Sequence, residues 1–370
     1  MKKFLSFALF DTGETILSAL IYSTFFPLYI TKFIDTKIYS ISYAFAFLIS
    51  FFFAIILGKF ADSKGLRKQF FILFTILTAL STFFLFFSYP FPFLSLVIFL
   101  LMAIFHQQAF VFYNSLLLNF ESKGFVSGLG VSFGYIGSAI ALIFLAKYLK
   151  LPEAYIFVAF IFLILSLPSF LFLKNPDFKE KINLKDIFKD KYFIFTIVSI
   201  LSLTEVANTL IAMMSIYLKK VYNFEDIFIY KVIGLSAIGG IIGGIFWGYI
   251  TDRFSAKKVF PIGFILWSLF LVILPITPNY FVLMVGFLAG FSLAHLWSVS
   301  RIFILENFPP SQSSVRLSFL SLTERIASTT GLLTWSLFLF ITNDNYKLSA
   351  FLMIIFPIIG FLFYIKGRKY

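Results

Sequence analysis

The chain has no cysteine, only two histidines, and charged side chains at just 13% of its 370 residues. Without cysteine there can be no disulfide and no thiolate metal site. Two histidines with scattered carboxylates do not make a metal-ligand cluster either. A soluble domain carries about 25% charge, so the low charge beside 60% hydrophobic residues excludes an ordinary soluble fold. There is no phosphate-binding Gly-rich loop, no Gly-x-Ser-x-Gly and no His-Glu-x-x-His. The expectation is therefore no enzyme and no cofactor. The short alternating segments of an outer-membrane barrel are missing as well.

What the chain does have is long apolar runs. Stretches of about 18 or more apolar residues recur from end to end, which predicts a polytopic helical membrane protein in a lipid bilayer. The pattern places twelve helices over 5–30, 39–58, 69–88, 93–114, 125–146, 154–173, 192–218, 228–250, 259–275, 280–302, 316–341 and 347–365. The first run holds Asp11 and Glu14 and lacks a small-x-small cleavage site, so it reads as a span and not as a leader. Phenylalanine is abundant at 57 residues and is expected mainly on lipid-facing positions.

The longest polar stretch, 174–191, alternates lysines with Asp177, Glu180, Asp186 and Asp190 and reads as a solvated linker or a surface helix. The net charge of +13 does not point to nucleic acid, because the basic residues sit in short loops between apolar runs. With the helices as placed, 20 Lys and Arg fall on the side of the termini and linker and eight on the other. Positive charge marks the cytoplasmic side. Both termini and the linker are thus expected inside, in the cytoplasmic membrane.

One charged loop occurs twice. Gly58-Lys-Phe-Ala-Asp62-Ser-Lys-Gly-Leu-Arg67-Lys68 and Gly248-Tyr-Ile-Thr-Asp252-Arg-Phe-Ser-Ala-Lys257-Lys258 both read Gly-x3-Asp-x4-basic-Lys. Other matches follow at nearly the same offset. Asp11-Thr-Gly-Glu14-Thr15 resembles Glu205-Val-Ala-Asn208-Thr209. His106 pairs with His295, and Asn119-Phe120 pairs with Asn307-Phe308. Together they argue for a duplicated six-helix unit, 1–173 and 192–370, joined by 174–191. Six helices per half keep the repeats parallel, which is an alternating-access layout.

The twelve-helix layout and the two Gly-x3-Asp-x4-basic loops resemble the major facilitator superfamily. In the first copy Leu66 separates Gly65 from the Arg-Lys pair, and the second copy has no glycine there. A narrower likeness is to the vacuole-effluxer-like subfamily of autophagy-related amino-acid effluxers. It rests on Phe10-Asp11-Thr12-Gly13-Glu14-Thr15 leading to Phe26-Pro27-Leu28-Tyr29, and on Tyr113-Asn114-Ser115-Leu116-Leu117. Val126-Ser127-Gly128-Leu129-Gly130, Gly134-Tyr135-Ile136-Gly137, and Ser300-Arg301 before Pro309-Pro310 extend it. Thr12 stands where that group has Trp, and Glu14 where it has Asn. The resemblance implies a major facilitator fold and a secondary transporter of a small polar organic solute. It tilts the solute toward amino acids and the direction toward export. It also implies that helices one, four, seven and ten line the central cavity. A transport-inactive receptor or scaffold on the same fold is the alternative. A single chain is expected to be sufficient.

An ionisable group at mid-bilayer costs about 2.5–3.5 kcal/mol on insertion scales, so it faces a cavity or a partner. Glu205 lies midway along helix seven, with Asn208 on its face, and suits either proton binding and release or a substrate ammonium. His106, with Gln107 and Asn114 on or near its helix, and His295 are mid-helix groups able to relay protons or hold solute. Asp11 and Glu14, one turn apart with Tyr22 continuing the stripe, are expected to form an inner-gate charge network with Arg301, Arg325 and Glu324. Asp62 and Asp252, with Gly58, Arg67, Lys68, Gly248, Lys257 and Lys258, are expected to meet a helix N-terminus or an arginine. By resemblance these loops are a conformational latch. The glycines of helices five and eight are expected to form a sliding surface between the halves.

Overall fold

A computed structural model describes residues 2–370, apart from the side chains of residues 226, 227 and 230. Twelve long helices succeed one another, and no strand occurs among the described residues. They are α1 Lys2–Ile30, α2 Thr36–Lys64, α3 Arg67–Ser88, α4 Pro92–Asn119, α5 Lys123–Leu145 and α6 Glu153–Phe172. Then come α7 Lys191–Tyr222, α8 Asp226–Phe254, α9 Ala256–Ile276, α10 Asn279–Asn307, α11 Ser313–Ile341 and α12 Tyr346–Gly367. Eleven are apolar enough to be membrane spans by length and composition. The exception is α11, whose 29 residues include Arg316, Glu324, Arg325 and a run of serines and threonines.

Several helices run past the ends that hydropathy predicts, α2 and α7 among them, because caps and not polarity stop them. Helix α2 continues through Asp62 to Lys64 and ends where Gly65 takes a left-handed φ of 67°, a conformation glycine adopts without strain. Gly58 and Asp62 therefore lie inside the last turns of α2 and not in a loop. Asp190 caps α7 by accepting from the Phe193 N–H at 3.0 Å, and Asn223 closes it at φ 55°. Two stretches widen to π-helix, Ser18–Phe25 in α1 and Ile140–Leu145 in α5, and these two pack on each other.

The chain divides into two compact units. The first holds α1–α6, the linker as far as Ile182, and the separate segment Pro309–Ser318; the second holds the rest. Within the first, α1 packs on α5 and α6, α3 on α4 and α6, and α2 on α4. Within the second, α7 packs on α12, α9 on α10 and α12, and α8 on α10. Four of the five packings of the first unit recur in the second with six added to each helix number.

Phenylalanine does more than face lipid. Phe7, Phe10, Phe26, Phe71, Phe99 and Phe112 are wholly buried. Phe7 stacks on Tyr113 at 4.1 Å and Phe26 on Phe99 at 3.8 Å between ring centres. These stacked rings are part of the core of the first unit. The glycines likewise serve packing inside each unit. A Cβ on Gly137 would come within 2.7 Å of the Thr12 carbonyl of α1. Gly239 and Gly243 of α8 lie against Phe287 and Phe291 of α10. Close backbone approach of helices within one unit is what these residues provide.

Candidate functional site

The inner end of the first unit is organised around Asp62 and Arg67. Both side chains are completely buried, and Arg67 Nε donates to Asp62 Oδ1 at 2.7 Å. The same carboxylate accepts the Ser314 N–H at 3.0 Å and the Val315 N–H at 3.2 Å. These are among the first amides of α11, donors with no partner inside the helix. A carboxylate there is also favoured by the helix dipole. Gly58, one turn before Asp62, makes room for this: a Cβ there would sit 3.1 Å from the Val315 nitrogen.

Arg67 uses its remaining donors on main-chain oxygens. It reaches Phe178 at 2.8 Å, Pro310 and Ser311 at 3.2 Å each, and Pro176 at 3.5 Å. The linker is therefore no freely solvated strand at its start. Asn175 accepts from the Lys68 N–H at 2.7 Å and donates to the Gly65 carbonyl at 2.8 Å. Ser311 donates to Glu180. Past this strap the linker forms only the short helix Leu184–Lys189, with Ile182 and Ile187 buried.

The second copy of the motif, in the second unit, is built differently. Gly248 is buried in α8, but Asp252, Lys257 and Lys258 are exposed. The Ala256 N–H that opens α9 is taken by Glu306 Oε2 at 2.9 Å. Ser255 stands where the first copy has Gly65, and its φ of 69° is nearly the same.

In the middle of the first unit, His106 Nε2 of α4 lies 3.1 Å from Glu14 Oε1 of α1, both side chains partly buried. Ser18 donates to the same Glu14 oxygen at 2.8 Å, and the Tyr22 ring lies 5.2 Å from the imidazole. Ser18 and Tyr22 belong to the π-helical stretch of α1, a distortion frequent at functional sites. Asp11 is separate from this cluster. It is buried and accepts from the Tyr113 hydroxyl at 2.8 Å. Gln107 and Asn114 are buried on α4.

In the second unit Glu205 is 4% exposed, and Thr330 of α11 donates to its Oε1. Its Oε2 is buried without a hydrogen-bond partner, and no ion pair involves it among the described residues. Asn208, one turn on, donates to the Glu324 carbonyl at 2.9 Å and to Ser328 Oγ at 3.0 Å. Arg301 is buried on α10, while Glu324 and Arg325 are half-buried on α11.

His295 differs from His106. It is fully buried, its Nε2 is 3.0 Å from the Val259 carbonyl, and the Trp247 ring meets it edge-on at 4.8 Å. Gly263 closes over the other side of the ring. The two histidines are matched in sequence position but not in surroundings.

Tyr113, Thr330, Asn175 and Glu180 are partners that sequence reasoning did not single out. Tyr113 stood inside a noted motif, but nothing in its spacing marked it as the donor to Asp11. The others had no signal beyond being polar.

The family model of the Major Facilitator Superfamily matches residues 4–245 and 207–369. A protein of Aquifex aeolicus (strain VF5), described as "Uncharacterized protein", is 61% identical over 366 residues, covering 99% of this chain and 97% of its own. Among solved structures, a bacterial homologue of the iron transporter ferroportin in the outward-facing state superposes with TM-score 0.79 at 15% identity, over 100% of this chain and 99% of that one. FucP, a Major Facilitator Superfamily transporter in the outward conformation, gives 0.79 at 15% identity over 99% of each chain. The human organic anion transporter MFSD10 (TETRAN) gives 0.76 at 14% identity over 98% of each. At such identities these likenesses show the fold alone. The narrower likeness to the vacuole-effluxer-like subfamily finds no support among them. The chain belongs to the Major Facilitator Superfamily: it is a multi-pass membrane protein and a secondary transporter, not an enzyme.

Proposed function

We propose that the protein carries a small polar organic solute by alternating access of its halves, 1–173 and 192–370, and that protons drive the movement through Glu205. The observation that carries this reading is Glu205 itself. It lies 14 residues from Lys191, about 21 Å along α7 at 1.5 Å per residue. There it is buried, with a single hydroxyl donor and no cation. An uncompensated charge in such a place is costly, which suits a group that binds and releases a proton. A carboxyl kept only for packing has no need of that position. Glu14 with His106 and Tyr22 supplies a second polar cluster, in the first half, suited to hold the solute. Asp62, with Arg67, holds the start of α11 and releases it as the transporter cycles.

The residues shared with the vacuole-effluxer-like group tilt the solute toward amino acids and the direction toward export. The Lys and Arg bias supports cytoplasmic termini. The test is radiolabelled amino-acid flux in proteoliposomes across an imposed pH gradient, wild type against Glu205→Gln. Flux that follows the gradient and fails in the variant supports a proton-coupled carrier. Gradient-driven flux unchanged in Glu205→Gln removes the carboxyl from the mechanism.

A further inference from the structure

The linker and the start of α11, through which the chain passes between the two units, converge on Arg67. The linker leaves the first unit after Ile182. The segment Pro309–Ser318 returns to that unit and leaves it again inside α11. Arg67 holds one with each arm. Its Nη1 donates to the linker carbonyls of Phe178 and Pro176, and its Nη2 to those of Pro310 and Ser311.

The linker strap is anchored independently of Arg67. Asn175 engages the turn between α2 and α3 through the Lys68 N–H, the Gly65 carbonyl and the Gln69 side chain. Asn119, at the end of α4, donates to the Lys174 carbonyl at 2.6 Å. Further along, the strap meets the start of α11 by a side chain of its own, Glu180, which accepts the Ser311 hydroxyl. Glu180 is exposed and flanked by Lys179 and Lys181, yet among the described residues it pairs with neither. Its bond to Ser311 is charge-assisted, the stronger kind. Burial orders these contacts. Asp62 and Arg67 are 0% exposed, and charges with no water around them are costly to separate, so the pair stays closed until what covers it has moved. Glu180 and Lys174 lie at the surface and Asn175 is half-buried. Contacts that water reaches open most readily.

We propose that linker residues 174–180 are an outer clasp over the Asp62–Arg67 site, and that Asn175 and Glu180 are positioning residues that set how readily the start of α11 is released. The proposal rests on the reading of Asp62 and Arg67 as a latch that opens during the cycle, and it adds what controls the opening. Glu180 favours the closed state by holding Ser311 from outside. Asn175 keeps the strap seated on the α2–α3 turn, so that Glu180 reaches Ser311 and the linker carbonyls stay on Arg67. When the start of α11 departs, the carbonyls of Phe178 and Pro176 remain with Arg67, so the guanidinium is not left with Asp62 alone. The linker is in this way a working part of the first unit as well as the connection to the second.

Hydrogen–deuterium exchange of the full-length protein in liposomes, read on the peptide holding Ser314 and Val315, follows the two amides that Asp62 binds. Glu180→Ala and Asn175→Ala should each speed that exchange by roughly two- to tenfold, the effect of losing a hydrogen bond. Ser311→Ala removes the Glu180 bond from its other end and should match Glu180→Ala, with the double variant going no further. The Ala256 amide, capped by Glu306 in the second unit, should keep its wild-type rate throughout. Cutting a protease site placed at the exposed pair Lys185 and Asp186 leaves the strap whole and should change nothing. Strap variants that leave Ser314 and Val315 at the wild-type rate, while Asp62→Asn speeds them, overturn the inference and spare the latch. Faster exchange after the cut also overturns it, since the linker is then a tether only, and so does equal acceleration at Ala256, which marks general loosening. If Asp62→Asn itself is silent, the latch reading falls too.

Discussion

The duplicated loops make unequal demands on their aspartates, and Asp62→Asn against Asp252→Asn measures the difference. Asparagine at 62 keeps one oxygen for the Ser314 N–H, so the cap of α11 survives in part. What goes is the charge opposite Arg67, 2.7 Å away with neither side chain reached by water. Removing one partner of a buried pair costs about 3–5 kcal/mol. Arg67 keeps its four main-chain acceptors at 2.8–3.5 Å, which favours the lower end, about 3 kcal/mol. At 1.4 kcal/mol per tenfold, that is on the order of a hundredfold easier opening of the site. Asp252 is exposed near the end of α8, outside the Asp62–Arg67 site. The assay is maleimide labelling of Ser314→Cys in this cysteine-free chain, since position 314 is fully buried. Labelling should accelerate strongly with Asp62→Asn and hardly at all with Asp252→Asn. Equal rates for the two would refute the reasoning.

Two further outcomes are open to direct measurement. Ser255 holds φ 69° and ψ 149°, a region that is essentially glycine's alone and strains other residues by about 1–3 kcal/mol. Ser255→Gly should therefore raise the midpoint of thermal unfolding, by roughly 1 kcal/mol of stability after the entropy glycine adds to the unfolded chain; a lower midpoint would show that Ser255 is held by something stronger than strain. Single cysteines at the exposed positions Lys37 and Lys347 should react with an impermeant maleimide from outside cells, and one at Lys181 only after permeabilisation. The reverse pattern would invert the topology.

The spans were legible because the bilayer imposes one demand, about 20 apolar residues, on each of them. Even α11 could be placed, although its charges and hydroxyls keep it below the others in apolarity. The aspartate of the first loop was legible too, through its repetition. Its partners were not, because Arg67 binds carbonyls of Pro176, Phe178, Pro310 and Ser311, and a carbonyl leaves no trace in side-chain identity. For the same reason 174–180 read as solvent-borne charge, while its backbone is strapped down. The histidines show a second limit. Periodicity gives their depth and symmetry, but Gly263 and Trp247 decide that His295 is sealed, and both come from other helices.

The first unit is discontinuous, and this has a consequence for synthesis. Pro309–Ser318 belongs to it although more than a hundred residues intervene after Ile182. When the ribosome has made all six helices of the first half, Asp62 still lacks the amides of Ser314 and Val315, and Arg67 lacks the carbonyls of Pro310 and Ser311. The half that emerges first is thus completed only while the second is being made. Until four more helices have been inserted, its inner end is an open socket, so the two units are not completed one after the other along the chain.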